Sequence, residues 1–377
     1  MPRPIVAHIS QSALQHNLQV VRDRLTQASP TPAHSPRVWA VIKANAYGHG
    51  IERAVNAFQS ADGLAMLDME EALRCRQAGW QKPILMLEGF FDESDLECCA
   101  IHGLTAVVHD PEQIRMLQAM RLTAGMSALK VFLKLNTGMN RLGFAPSSFQ
   151  QAHDQLRSLM LEGKIAEIGT MTHFACADEP GGMDAPLRLF QQATHGLTGP
   201  VSVANSAAVF ANPGSMFSRS DRLAWVRPGI CLYGGSPFDG QAASSFGLIP
   251  SMTLRSRVIG VQSLSPGQSV GYGYRFTADR PMRIGVVACG YADGYPRHAP
   301  NGTPVSVAGG LTRLIGRVSM DMLTVDLTEM PQAAVGSPVV LWGKDGPSVD
   351  EVARASGTIG YELLCAIAQR VRVLGEG

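Results

Sequence analysis

Short apolar runs and helix-like segments alternate through the first two-thirds of the chain. The runs cover residues 38–42, 63–67, 84–87, 105–108, 131–135, 168–172, 201–204 and 226–232. Each is short and several are rich in β-branched residues, as strands buried on both faces should be. The segments between them read as amphipathic helices. One spans 69–78, with Asp68 as its N-cap and Gly79 as its stop; another opens on Asp110-Pro111-Glu112, a capping residue followed by a first-turn proline and an early acid. Strand–helix alternation predicts parallel pairing, and about eight repeats is the number that closes a (β/α)₈ barrel. An open doubly wound sheet is the alternative, but it would carry a glycine-rich phosphate turn after its first strand, and none is present.

The pattern changes near Phe246. From 252 to 342 the chain is strand-like, as at 258–264, 282–288, 305–307 and 323–327, with Gly, Pro and Ser punctuation. Two short helices are predicted at 348–355 and 359–371. The expected architecture is α/β: an N-terminal barrel domain over 1–245 and a smaller, mainly-β C-terminal domain over 246–377. Residues 1–11, with a strand candidate at 5–9, are free to join the β domain.

A length of 377 residues with 45% hydrophobic content supports more than one core. The charge is +1, from 32 basic and 31 acidic residues, and no basic run or basic–aromatic interleave points to nucleic acid. No apolar stretch approaches the ~18 residues of a membrane span. The opening Met1-Pro2-Arg3-Pro4-Ile5-Val6-Ala7-His8 lacks the features of a signal peptide, so a cytoplasmic setting is expected. The seven cysteines are irregularly placed, Cys98 and Cys99 adjacent, and none has zinc-ligand spacing; reduced thiols and no metal are expected.

In a (β/α)₈ barrel catalytic groups collect where strands end. Lys43 follows the first run, Lys134 lies within the fifth and Arg141 just beyond it. His173 follows the sixth, Asn205 and Ser206 the seventh, and Arg227 sits inside the eighth. Singly, each has a plain structural explanation: a strand-end lysine is ordinarily solvated, a lone histidine a satisfied polar group, a strand arginine the partner of a carboxylate. Their joint placement is what points to chemistry. A lysine amine condenses with an aldehyde cofactor once apolar surroundings lower its pKa. Backbone N–H groups and hydroxyls at Asn205-Ser206-Ala207 and Gly229-Ile230 would suit a phosphate. An arginine facing a pyridine nitrogen would stay charged and hand over no proton, leaving a weaker electron sink suited to rapid proton return.

These residues carry a resemblance to a known family. Val41-Ile42-Lys43-Ala44-Asn45-Ala46-Tyr47-Gly48-His49-Gly50 resembles the pyridoxal-phosphate attachment signature of alanine racemases. In the same order follow Lys134-Leu135-Asn136-Thr137-Gly138-Met139-Asn140-Arg141-Leu142-Gly143, Thr172-His173-Phe174, Ala204-Asn205-Ser206-Ala207-Ala208 and Val226-Arg227-Pro228-Gly229-Ile230-Cys231-Leu232-Tyr233-Gly234. The second domain adds Gly271-Tyr272-Gly273, Gly290-Tyr291-Ala292-Asp293-Gly294-Tyr295, Gly316-Arg317-Val318-Ser319-Met320-Asp321 and Tyr361-Glu362-Leu363-Leu364-Cys365.

The resemblance implies pyridoxal 5'-phosphate on Lys43 as a Schiff base, and interconversion of L- and D-alanine by two bases in a homodimer with a shared site. Lys43 would serve one face of the substrate and Tyr272, reaching in from the other subunit, the opposite face. His173 would connect that tyrosine to Arg227. Tyr47, Ser206, Gly229, Ile230 and Tyr361 match phosphate-binding positions, with Asn205 beside them. Arg141 and the other subunit's Met320 match positions that meet the substrate carboxylate, Tyr291 matches an entrance residue, and Lys134 matches a lysine often carbamylated. Two positions depart from the family pattern: Asn136 stands where aspartate is common, and Gly360 where a polar side chain is common. The competing readings are a barrel-type decarboxylase of a basic amino acid, a single-domain pyridoxal-phosphate carrier, and a racemase whose substrates extend to serine.

Overall fold

The computed structural model describes residues 3–29, 35–216 and 222–376; Met1 and Pro2, which open the segment expected to join either domain, lie outside them. Val6–Ser10 forms the first strand, β1. Eight parallel strands then close a barrel: β2 (Arg37–Val41), β3 (Gly63–Met66), β4 (Ile84–Met86), β5 (Thr105–Val108), β6 (Leu129–Lys134), β7 (Ile165–Met171), β8 (Val201–Asn205) and β9 (Ala224–Arg227). The barrel shuts where Arg37 and Val38 pair with Trp225 and Val226, and the rings of Trp39 and Trp225 stack at 4.0 Å across that seam. Strands β3, β4 and β5 are buried along their whole length, which is why they appear in the sequence as unbroken apolar runs.

The helices between them follow their local signals. Asp68 caps Met69–Gln77 by accepting from Glu70 N at 2.7 Å, and Asp110 caps Pro111–Ala119 by accepting from Glu112 N at 2.8 Å. The eighth apolar run ends differently from its expectation. Only Ala224–Arg227 is strand; Pro228, which has no N–H for a ladder, stops it, and Ile230–Tyr233 turns as a 3₁₀ helix.

The second domain is an eight-stranded sheet built around the long strand β10 (Met252–Leu264). β10 pairs on one side with Met282–Val287 and on the other with Pro338–Trp342. β1 lies antiparallel to β10 and parallel to Arg372–Glu376, so the start and end of the chain are strands of this β domain. The predicted 359–371 helix is shorter than expected: Gly360–Cys365 is helical, and the chain leaves it to reach the strand Arg372–Glu376. Among the described residues no helix is long and apolar enough to cross a membrane.

Candidate active site

Lys43 stands just past the end of β2 and opens a turn with an uncommon backbone. Ala44, Asn45, Ala46 and Tyr47 have φ of 54°, 52°, 53° and 51°, a left-handed turn built from four non-glycine residues. Such a conformation costs about 1–2 kcal/mol per residue, so it persists only where its surroundings dictate it. Several do. Glu71 Oε1 accepts from Asn45 N at 2.6 Å, and Asn45 Oδ1 accepts from Ile51 N at 3.2 Å. The fully buried His49 ring bridges Tyr47 O and Ser251 Oγ, each at 2.8 Å. The Tyr47 ring stacks on Tyr233 at 4.5 Å. Gly48 completes the turn at φ 78°, where a Cβ would lie 2.3 Å from Leu364 O. Its missing side chain is what lets the helix Gly360–Cys365 of the β domain abut the turn, with the Tyr361 ring 6.1 Å from that of Tyr47.

The strand ends enclose a cavity of about 880 Å³. Lys43, Tyr47, Lys134, Arg141, His173, Asn205, Ser206, Arg227, Gly229, Ile230 and Tyr361 all line it. Burial and the nearby Arg141 lower the Lys43 amine from its ordinary range, with Glu88 opposing. Lys134, the last residue of β6, is only 8% exposed; burial, then Arg227 and Arg141, push it down to about 8.

Arg227, at the end of β9, is 5% exposed. Its guanidinium donates to Thr172 O at 2.6 Å, Ser202 Oγ at 2.5 Å and Val203 O at 3.3 Å, and among the described residues it pairs with no carboxylate. Burial lowers it to about 10, which leaves it a cation at neutral pH. His173 Nδ1 lies 3.4 Å from Arg227 Nη2. A guanidinium has only donors, so Nδ1 accepts and the ring proton sits on Nε2. Burial, then the charge of Arg227, drives His173 down to about 3, so the ring is neutral.

At another part of the cavity Gly229 N donates to Ser206 Oγ at 2.8 Å. A Cβ on Gly229 would lie 2.5 Å from Tyr47 Oη, so three polar groups meet in a cleft that a side chain would fill. The Asn205 side chain is engaged elsewhere: its Oδ1 accepts from Ala208 N at 3.0 Å and caps the short helix Ser206–Ala211. Arg141 makes no hydrogen bond or ion pair among the described residues. Asn136 turns into its own loop, accepting from Gly138 N and Asn140 N at 3.0 and 3.1 Å and donating to Asn140 Oδ1 at 2.9 Å.

Tyr272, Tyr291 and Met320 do not line this cavity. Tyr272 is 73% exposed at the tip of a hairpin joining Ser269–Val270 to Phe276–Thr277. The hairpin stands on a small cluster of its own, Val270, Ile284 and Ile315, flanked by Leu264 and Phe276. Tyr291 and Met320 lie on adjoining loops, tied by Tyr291 N donating to Ser319 O and Ala292 N to Met320 O, both at 3.0 Å. These loops are fixed by Asp293, which is fully buried: it accepts from Gly290 N at 2.9 Å, Arg3 at 3.3 Å and Arg370 at 2.7 Å, while Arg370 also reaches Asp321 at 2.7 Å.

Sequence reasoning missed Glu88, which lines the cavity two residues past β4. The strand-end rule that selected Lys43 and His173 selects it too, once the strand is ended at Met86. Asp293 was quoted only as part of a motif; its partners Arg3 and Arg370 are remote in sequence, and no local pattern marks such a cluster. Among the described residues no group of His, Cys, Asp or Glu is arranged to hold a metal ion.

Fold and site together define a two-domain barrel enzyme whose cavity at the strand ends is lined by two lysine amines of lowered pKa. Comparison with known proteins gives the family. The model of the alanine racemase N-terminal domain matches residues 9–237, and that of the alanine racemase C-terminal domain matches 251–374. The chain belongs to the alanine racemase family, whose members are isomerases. It is 59% identical to an alanine racemase of Bordetella petrii and 56% identical to one of Bordetella avium, with 99% of each chain covered in both cases. Among solved structures it resembles the biosynthetic alanine racemase of Pseudomonas aeruginosa, at TM-score 0.91 and 42% identity over 100% of both chains. It also resembles alanine racemase from Acinetobacter baumannii, at TM-score 0.87 and 34% identity over 99% of this chain and 100% of that one.

Proposed function

We propose that this chain interconverts L- and D-alanine with pyridoxal 5'-phosphate held on Lys43, and that a homodimer completes each site with Tyr272 of the partner subunit. Its two domains meet between residues 245 and 246. The donor set fits the cofactor. A lysine of lowered pKa supplies the amine for an aldehyde, and Ser206 Oγ, Gly229 N–H, Tyr47 Oη and the adjoining Ile230 and Tyr361 offer a phosphate-sized cleft that Gly229 keeps open. When bound, the cofactor supplies an electron-withdrawing ring that acidifies the α-proton of the amino acid.

The chain's own groups then divide the work. Lys43 Nζ, whose hold on its proton burial and Arg141 weaken, takes or returns the α-proton on one face. On the other face Tyr272 Oη of the partner subunit does the same. His173 Nε2–H has a free donor for that oxygen in its deprotonated form, and Arg227 pins the ring by giving Nδ1 a partner. The free Arg141 guanidinium binds the substrate carboxylate, aided by Met320 of the partner subunit, with Tyr291 of the partner subunit at the entrance. Walls made of tyrosine favour a small side chain, though an apolar pocket rejects the extra hydroxyl of serine only weakly. The Lys134 amine, near 8, has a neutral fraction able to add carbon dioxide, and a carbamate there would be an anion facing Arg141. The substrate is a free amino acid rather than a nucleic acid or a membrane lipid. Seven free thiols fit a cytoplasmic setting.

The observation that carries this reading is Arg227, a buried cation without a carboxylate. Arginine stays charged and would hand no proton to the ring nitrogen of a cofactor held beside it, which would favour returning the α-proton over losing carbon dioxide. The test mixes two inactive variants, Lys43→Ala and Tyr272→Phe, after unfolding and refolding together. If Tyr272 acts across the dimer, each mixed dimer regains one intact site, and alanine racemisation recovers to about a quarter of the wild-type rate. No recovery above the parents sinks the shared site. A wild-type chain without alanine racemisation, or one releasing carbon dioxide from lysine or ornithine, sinks the reading as a whole.

A further inference from the structure

Four acidic side chains line the cavity, Glu88, Asp178, Asp239 and Asp350, and this scheme gives none of them a task. Glu88 is half-buried and lines the cavity with Lys43, Lys134 and Arg141. Its main chain is fixed. Glu88 O accepts from Gln113 Nε2 at 3.0 Å, with His109 Nε2 at 3.1 Å. Gly89, the next residue, sits at φ 75° with space for no side chain, since a Cβ there would lie 2.1 Å from Val107 O. Gln113, only 4% exposed, also donates to Phe90 O at 3.2 Å. Swinging this segment away would break buried hydrogen bonds, so the carboxylate is held at the cavity.

Its surroundings are strongly cationic. Of the other carboxylates lining the cavity, Asp350 is engaged with Ser236 N at 2.8 Å, Asp239 with Arg354 at 3.2 Å, and Asp178 is exposed to solvent. Glu88 is the carboxylate whose field acts on both buried lysines, opposing burial and Arg141 at each of them. The other charged or titratable groups facing those lysines are Arg141, Arg227, His173, His109 and Cys365. None of these, in its ordinary state at neutral pH, brings a negative charge.

We propose that Glu88 is a positioning residue of this site: its carboxylate is the built-in counter-ion of the Lys43–Lys134–Arg141 cluster and sets the pH at which the two lysines give up their protons. The inference rests on the racemase reading for its consequence in catalysis, but the charge arrangement can be tested apart from it. Without Glu88 the lysines face only cations and neutral groups, and their ammonium forms lose the one favourable charge near them. Loss of a nearby opposite charge moves an amine by about one pH unit. The sign follows: the free amine then persists to lower pH.

The experiment compares Glu88→Gln, which keeps the shape and removes the charge, with Glu88→Asp, which keeps the charge. The full chain, stripped of cofactor with hydroxylamine, is reductively methylated with ¹³C-formaldehyde. The Lys43 and Lys134 methyl signals, assigned with Lys43→Arg and Lys134→Arg, are then followed against pH. Both midpoints should fall by about one unit in Glu88→Gln and return towards wild type in Glu88→Asp. In the cofactor-loaded enzyme the acid limb of kcat/KM for alanine should move to lower pH in the same variant. Unmoved midpoints, a rise, or equal shifts in both variants overturn the proposal, even in an active racemase. Shifted midpoints in a chain that does not racemise alanine would uphold Glu88 as the counter-ion and overturn the racemase reading instead.

Discussion

The cleft formed by Gly229, Tyr47 and Ser206 offers a quantitative test of how the cofactor end of the site is built. In Gly229→Ala the new Cβ would stand 2.5 Å from Tyr47 Oη, with Tyr47 Cζ at 3.3 Å and Val41 Cβ at 3.7 Å. Only the hydroxyl is in hard overlap. Tyr47 cannot swing aside cheaply, because its ring is 5% exposed and stacked on Tyr233. Overpacking of this kind costs about 1–3 kcal/mol. For a domain of this size that lowers Tm by about 2–4 °C for each kcal/mol. Displacing Tyr47 also disturbs the cleft itself, so affinity for pyridoxal phosphate should fall by about tenfold, the equivalent of 1.4 kcal/mol. Tyr47→Phe alone removes one polar group from the cleft and should weaken cofactor binding while scarcely changing Tm. In the double variant the overlap is gone, because the nearest remaining ring atom is Cζ. The stability loss of Gly229→Ala should then largely disappear, a coupling of at least about 1 kcal/mol between two residues in contact. Calorimetry gives Tm, and titration of the stripped chain against the visible band of the lysine-bound cofactor gives affinity. Additive losses, or a Gly229→Ala protein as stable as wild type, would refute the argument.

Lys134 carries a pH signature. Its folded value near 8 is depressed from 10.5, so the unfolded chain holds that proton more tightly and stability rises with pH between about 8 and 10.5. Lys134→Met should lack that rise and be more stable at pH 7 by up to about 3 kcal/mol; urea unfolding curves of the two proteins that run parallel from pH 7 to 10.5 would contradict this. Asp293→Asn takes the charge from between Arg3 and Arg370, two half-exposed cations. A loss of about 2 kcal/mol in urea unfolding is expected, below the figure for a fully buried pair because solvent screens both arginines. The loops bearing Tyr291 and Met320 should loosen, so the proposed homodimer should dissociate at lower dilution by sedimentation. A variant matching wild type in both measurements would show that Asp293 does not secure those loops.

The barrel was legible because its strands are buried on both faces and its helices start at Asp68 and Asp110. What escaped the sequence depended on partners far along the chain. Continuous apolarity from Val226 to Leu232 is a core signal that strand and 3₁₀ turn share, and only Pro228 separates them. The segment 359–371 has helical composition to its end, yet Arg372–Glu376 takes its conformation from β1. Gly310–Ile315 and Pro338–Trp342 fall inside the 252–342 stretch read as strand-like, but, opened by a glycine and a proline, they were not singled out as strands. In the site, the strand-end rule placed Lys43, His173 and Arg227 within one cavity, while the part of Asn205 as a helix cap follows from geometry that its position alone did not distinguish. The left-handed turn after Lys43 was not legible at all: Ala44, Asn45 and Ala46 would pass for an ordinary helix start, and only Gly48 and Gly50 hint at unusual backbone.

That turn also explains why the β domain is more than a carrier for Tyr272. Four residues in the left-handed region cost about 4–8 kcal/mol, and β2 alone offers nothing to offset it. Two of the restraints come from the region where the barrel meets the β domain. Ser251, adjacent to β10, receives His49 beneath the turn, and the helix Gly360–Cys365 closes over Gly48 at a distance that only a glycine permits. Relaxing the turn to a right-handed one would redirect Tyr47 away from Gly229 and change where Lys43 leaves the strand. The amine is therefore aimed by the docking of the second domain. The strain is held where the proposed chemistry needs a fixed direction, and the same docked domain carries the exposed Tyr272.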